Sequence, residues 1–162
     1  MKFQQGKLDG TVIFKPDIFE DSRGSFHEIY NLERYSEYLG EDISFVQDNR
    51  SRSRMNVLRG LHFQLKNPQG KLVRVTKGTV LDVVVDLRSD SSTYKLWDSI
   101  ILSEDNNYQF WIPPGFAHGF FVMSDFADFE YKCTDYYFPQ DEYCLLWNDG
   151  EIGIEWPSLN PT

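Results

Sequence analysis

The chain has 162 residues, is 41% hydrophobic and 16% aromatic, and carries 25 Asp plus Glu against 16 Lys plus Arg for a formal net charge of −9. That length suits one domain with a real core, the aromatic content excludes a disordered or coiled chain, and the acidic balance argues against nucleic acid, which needs a broad cationic face. No run reaches the apolar length of a membrane span, no apolar signal core follows Met1, and two cysteines, Cys133 and Cys144, are too few for a disulfide framework; a cytoplasmic protein with two buried thiols is expected.

Residues 11–14 and 26–30 read as short strands, separated by the turn-rich Glu20-Asp21-Ser22-Arg23-Gly24, where Arg23 is a candidate anion contact. Residues 31–40 carry the one good helix pattern. Asn31 can cap its first turn, Leu32, Tyr35 and Leu39 fall at helical spacing, and Gly40 can end it in the left-handed conformation. Beyond it the pattern is strand and turn, over residues 43–46, 71–76, 79–87, 97–102, 108–112, 119–123, 129–133 and 143–147. Short strands at roughly ten-residue spacing predict an all-β antiparallel sandwich or barrel with a single surface helix. Over residues 80–87 the period of two sets Asp82, Val84 and Asp86 on one face and Leu81, Val83, Val85 and Leu87 on the other, so two carboxylates share a wet face or a lined cavity.

The charge is unevenly spread. No acidic residue lies between Asp48 and Asp82, yet eight cations do: Arg50, Arg52, Arg54, Arg59, Lys66, Lys71, Arg74 and Lys77. On an acidic chain such an island points to an anionic ligand held locally. Within it, Arg59-Gly60-Leu61-His62-Phe63-Gln64 and Lys71 set a base, a fixed cation and a lysine close together in sequence. Of the three histidines, His27 is expected to be structural, on a strand. His118 closes Pro113-Pro114-Gly115-Phe116-Ala117-His118, and this Pro-x-Gly-x-x-His spacing is the second motif of the cupin β barrels. A metal-binding cupin also needs a His-x-His pair and a Glu in its first motif; with so few imidazoles, no metal is expected here.

Eight motifs carry a resemblance: Asp21-Ser-Arg23-Gly24-Ser-Phe26-His-Glu28, Gln47-Asp48-Asn49, Leu58-Arg59-Gly60-Leu61-His62-Phe63-Gln64, Gly70-Lys71-Leu72-Val73-Arg74-Val75, Asp82-Val-Val-Val-Asp86-Leu-Arg88, Pro114-Gly-Phe-Ala117-His118-Gly119-Phe120, Tyr131-Lys-Cys-Thr-Asp-Tyr-Tyr137, and Trp147-Asn148-Asp149 through Trp156-Pro157. In order and spacing, over about residues 9–157, they are similar to the dTDP-4-dehydrorhamnose 3,5-epimerase family. The resemblance implies one domain over 1–162 with a cupin jelly-roll fold, free of metal and other cofactors and expected to be a homodimer. It would epimerise a nucleotide-diphosphate sugar, a 4-keto-6-deoxyhexose, at C3 and C5, in deoxysugar biosynthesis. By the same resemblance His62 would be the base and Tyr131 the acid on the opposite face. Lys71 and His118 would lie near the keto oxygen, while Arg23, Glu28, Gln47, Asn49, Arg59 and Glu142 would position sugar and diphosphate.

The chemistry asks for these residue types independently. A hydrogen alpha to a ketone leaves only if the growing enolate is stabilised, which a lysine ammonium can do. Inversion needs a base on one face and a donor on the other, roles open to a histidine with an unperturbed pKa near 6.5 and to a tyrosine. Arginines grip diphosphate oxygens through paired hydrogen bonds. Inversion at C3 alone, other nucleotides or a heptose, and a catalytically silent sugar-nucleotide binder are the alternatives. One departure concerns the tail. After Trp-Pro the family continues into Leu-Ser-x-Lys-Asp, whose aspartate pairs with the base histidine, whereas Ser158-Leu159-Asn160-Pro161-Thr162 follows Pro157 here. The expectation is therefore that Asp82 or Asp86 supports His62 from within the barrel, with the number of inverted centres left open between one and two.

Overall fold

The computed structural model describes residues 1–40 and 42–157. Two antiparallel sheets face each other. In chain order the strands are β1 (Lys2–Gln5), β2 (Val12–Lys15), β3 (Phe19–Asp21), β4 (Gly24–Phe26), β5 (Gln47–Arg54), β6 (Leu58–Gln64), β7 (Lys71–Lys77), β8 (Thr79–Asp86), β9 (Trp97–Ser103), β10 (Gln109–Ile112), β11 (Phe116–Val122), β12 (Phe126–Cys133) and β13 (Glu142–Cys144). Six of them run in the order β1-β2-β10-β7-β12-β5 and five in the order β13-β6-β11-β8-β9, while β3 and β4 form a separate hairpin. The helix α1 (Leu32–Leu39) lies between β4 and β5.

The period of two seen in residues 80–87 decides where β8 sits. Val80 and Val84 enter the cluster that fills the space between the sheets, with Val73, Phe110, Phe116, Phe120 and Phe129, while Val83 and Val85 face the other way. There they pack beneath Leu145, Trp147, Ile152, Ile154 and Trp156. A strand covered on both faces reads as a nearly continuous apolar run, and each large side chain so buried contributes about 1.5–3 kcal/mol.

The helix has the expected caps. The Asn31 side chain accepts from Arg34 N, and the Gly40 N–H donates to Ser36 O. Gly40 has φ 99° and ψ 149°, a positive-φ exit suited to glycine but extended instead of left-handed helical. Only Tyr35 of the expected apolar stripe is fully buried, against Phe14, Leu72 and Trp111, and its hydroxyl donates to Gln109 Oε1 at 3.0 Å. Burial, aided by the Glu28 charge, pushes this phenol up to about 12. Leu32, expected in the apolar stripe, is exposed.

Other expectations are corrected. Residues 43–46 are not a strand, although Ile43 and Phe45 still pack on the helix cluster. The strand expected over 26–30 ends at Phe26, and His27 follows it in an irregular segment. β5 and β6 appear where no strand was expected. Cys133 is buried, but Cys144, on the short edge strand β13, is exposed. The single domain expected over 1–162 includes residues 158–162, which lie outside the described residues, as does the tail comparison built on them. Among the described residues no helix is long and apolar enough to cross a membrane.

Candidate active site

A cleft of about 570 Å³ opens between the two sheets. From the six-stranded sheet, β5 contributes Gln47 and Asn49, β7 contributes Lys71, and β12 contributes Tyr131. The five-stranded sheet supplies Arg59 and His62 from β6, His118 from β11 and Glu142 from β13. His62 and Tyr131 thus stand on opposite walls.

The two histidines are neighbours across the β6–β11 ladder, with His62 and His118 as register partners and a register shift just beyond, between His118 and Phe120. Glycine permits that approach. A Cβ on Gly60, at φ 127°, would lie 2.5 Å from Gly119 Cα, and one on Gly119 would lie 2.6 Å from Arg59 O. Neither contact is sterically possible without moving a strand, so main chain meets main chain beside the cleft.

His62 is half-buried. Burial lowers its pKa below the ordinary 6.5, with the charges of Lys71, His118 and Arg59 acting the same way and that of Glu142 opposing. It is therefore largely neutral near pH 7 and free to accept a proton. Its buried Nδ1 has no hydrogen-bond partner among the described residues; Glu142 Oε1 stands 3.6 Å away, and the other oxygen of Glu142 accepts from the Tyr137 hydroxyl at 3.0 Å. The expectation that Asp82 or Asp86 supports His62 is overturned. Asp82 Oδ2 lies 2.8 Å from His118 Nε2, and Asp86 accepts from Arg88, Ser91 and Thr93. Parity placed both carboxylates correctly on one face, but β11 lies between β8 and β6 and intercepts Asp82.

Lys71 has no direct partner, although Glu142 and Asp82 act on its charge from a distance. No hydrogen bond or ion pair reaches its ammonium among the described residues, and Nζ sits 6.0 Å from the centre of the Tyr131 ring. Burial is the main cause of its lowered pKa. Tyr131 moves the other way, its phenol pushed up chiefly by burial, so it keeps its proton and can donate. Arg59 is aimed by a bond from its Nε to Ser53 Oγ at 2.8 Å.

Arg23 and Glu28 are not brought to this cleft. Arg23 sits at the β3–β4 turn paired with Asp21 at 2.6 Å, and Glu28 pairs with Arg34 at 3.1 Å. The cationic island also divides: Arg50, Arg52, Arg74 and Lys77 are used in ion pairs with Asp128, Glu130 and Glu104. Three contributors were missed. Gln69 and Tyr137 line the cleft from loops that carry no periodic signal, and Ser53 acts only through Arg59. Among the described residues no group of three or more His, Cys, Asp or Glu side chains is arranged to hold a metal ion.

Comparison with known proteins agrees with this architecture. The family model of dTDP-4-dehydrorhamnose 3,5-epimerase matches residues 5–162. A Pseudomonas aeruginosa protein of that name is 50% identical over 157 residues, covering 97% of this chain and 87% of its own. Among solved structures, a Legionella pneumophila dTDP-6-deoxy-D-glucose-3,5-epimerase in complex with dTDP-4-keto-L-rhamnose superposes with a TM-score of 0.93 at 50% identity, over 96% of this chain and 83% of that one. A 3'-monoepimerase from Streptomyces bikiniensis in complex with dTDP-quinovose gives a TM-score of 0.91 at 29% identity, over 98% and 81%. With two facing antiparallel sheets, a cleft between them and sequence identity along nearly its whole length, the chain belongs to the dTDP-4-dehydrorhamnose 3,5-epimerase family.

Proposed function

We propose that the protein inverts C3 and C5 of a dTDP-linked 4-keto-6-deoxy sugar. Neutral His62 takes the hydrogen alpha to the ketone, and the Lys71 ammonium stabilises the charge that grows on the ketone oxygen. Tyr131 returns a proton from the opposite wall. Gln47, Asn49, Arg59, His118 and Glu142 hold the sugar and its diphosphate around these three groups. The observation that carries the reading is a neutral base and a protonated phenol on facing sheets, with a half-buried lysine that has no direct ion pair among the described residues lining the same cleft. A silent binder has no use for that set.

Two centres are favoured over one because the 3,5-epimerases above stand at 50% identity and the 3'-monoepimerase at 29%. The protein acts as a cytoplasmic homodimer in this reading. Support comes from the β3–β4 hairpin, which exposes Phe19 and Phe26 at 64% and 71% and carries Arg23 away from its own cleft. Set against a second copy, the hairpin would bury those rings and give Arg23 and Glu28 a substrate to contact. Incubation with a dTDP-4-keto-6-deoxy sugar in deuterated water, followed by NMR, tests the reaction. Deuterium at C3 and C5 is expected; label at C3 alone replaces the reading with mono-epimerisation, and no label removes it. Light scattering should give twice the monomer mass.

A further inference from the structure

Among the described residues, the carboxylate within hydrogen-bond distance of a cleft histidine is Asp82, and its partner is His118. Asp82 is fully buried on β8, between Val80 and Val84 in the core that fills the sandwich. Its Oδ2 lies 2.8 Å from His118 Nε2, and its Oδ1 is buried with no hydrogen-bond partner among the described residues. Phe129 stacks on the His118 ring at 5.9 Å, and Phe120 stacks on Phe129 at 4.3 Å. A carboxylate with one bonded oxygen in such apolar surroundings is a poor way to stabilise a fold, since desolvation offsets most of the attraction. Burial pushes the Asp82 carboxyl up, and the charges of His118 and Lys71 pull it back.

We infer that Asp82 is a positioning residue for the epimerase reaction, fixing the plane and tautomer of His118 so that Nδ1 is the atom His118 presents to the sugar. An imidazole has only two nitrogens. With Nε2–H committed to Asp82, whatever His118 offers the cleft passes through Nδ1. The ring is then clamped by a hydrogen bond at one edge and by Phe129 on one face. His118 is thereby held still beside His62, its partner on β6, and across from Lys71 on β7 and Tyr131 on β12. This role rests on the epimerase reading given above.

The test starts on the unsubstituted protein. Nitrogen-15 imidazole shifts should place the His118 proton on Nε2; a proton on Nδ1 overturns the inference. Asp82→Asn should move it to Nδ1, because a carboxamide can donate to Nε2. That variant should lower kcat by about tenfold or more with KM within about threefold. Addition of Asp82→Asn to His118→Gln should cost no more than about twofold beyond His118→Gln alone. A full further loss in the double variant, or an equal rise in KM, means that Asp82 acts by another route and overturns the inference. If Asp82→Asn fails to fold, the wild-type tautomer decides alone. Deuterium uptake by the wild-type protein separates the two readings: no uptake defeats the epimerase proposal, whatever the nitrogen shifts report.

Discussion

The two faces of the six-stranded sheet are built from the same three strands and treat charge in opposite ways. On the outer face of β5, β7 and β12 the cations Arg50, Arg52, Arg74 and Lys132 each have a carboxylate partner. Arg52 grips Asp128 with two bonds of 2.7 Å, Arg50 shares that carboxylate at 2.8 Å, Arg74 meets Glu130 at 2.6 Å, and Lys132 meets Asp48 at 2.9 Å. A groove of about 330 Å³ on that face takes its charged lining, Asp48, Arg50, Arg74, Glu130 and Lys132, from these paired groups. On the inner face the same strands leave Lys71 without a direct ion pair among the described residues and Tyr131 protonated. Satisfied charge holds strands in register, while unsatisfied charge is available to a ligand. The outer groove is therefore scaffold and the inner cleft is site.

That contrast breaks if substitutions on the two faces have similar effects. The largest expected effect is His62→Ala, which should lower turnover by about 10²–10⁴ while dTDP still binds within about tenfold. Isothermal titration beside single-turnover kinetics checks it, and deuterium exchange near the wild-type rate would remove His62 from the role. Tyr131→Phe comes next. Exchange by the base should persist while net inversion falls by at least about tenfold, read as label incorporated without change of configuration.

The pH profile sharpens the inner face. Because the pKa of His62 is depressed below 6.5, kcat/KM should rise with pH through that lowered value and level off below 6.5. Because the pKa of Lys71 is depressed below 10.5, the fall at high pH should set in below that value as the ammonium is lost. A low-pH limb above 6.5 contradicts the environment given to His62. The outer face should answer differently. Asp128→Ala is expected to leave kcat within about twofold and lower Tm by a few degrees, since it strands two arginines. Arg50 and Arg52 hold the Asp128 carboxyl well below the ordinary 3.8, so its stabilising contribution is complete above the unfolded value and is lost as pH falls through the folded one. Acid unfolding of the variant should accordingly depend less steeply on pH. Smallest of all, raising salt from about 0.05 to 0.5 M should weaken substrate binding a few-fold through screening of Arg59, with no change for Asp128→Ala relative to wild type.

The same contrast explains which parts of the fold were legible. β8 announced itself because both its faces are apolar apart from two aspartates, and its alternation gave the correct parity for Asp82 and Asp86. β5 did not. Its sequence, Gln47-Asp48-Asn49-Arg50-Ser51-Arg52-Ser53-Arg54, has no hydrophobic residue, because one face carries the ion ladder and the other helps to line the cleft. A strand polar on both sides has no period-two signal to read. β6 was hidden by Gly60, which looks like punctuation and is a point of strand contact. For the site, residue chemistry marked His62, Lys71 and His118, and motif spacing added Gln47, Asn49, Arg59, Tyr131 and Glu142. Neither could say that Arg23 and Glu28 stand away from the cleft, since local motif spacing does not record where the β3–β4 hairpin and the segment after it lie. The partner of His118 was likewise invisible, because it depends on strand order and not on sequence distance.

The bare contact between Gly60 and Gly119 has a consequence for how such a protein can drift. Where strands are spaced by side chains, core substitutions breathe through to the groups above them. Here the separation of His62 and His118 is set by peptide units touching, so repacking elsewhere in the sandwich passes beneath the site without altering it. Substrate preference can then be explored by changing cleft-lining loop residues such as Gln69 and Tyr137, while the interval between the two imidazoles stays constant.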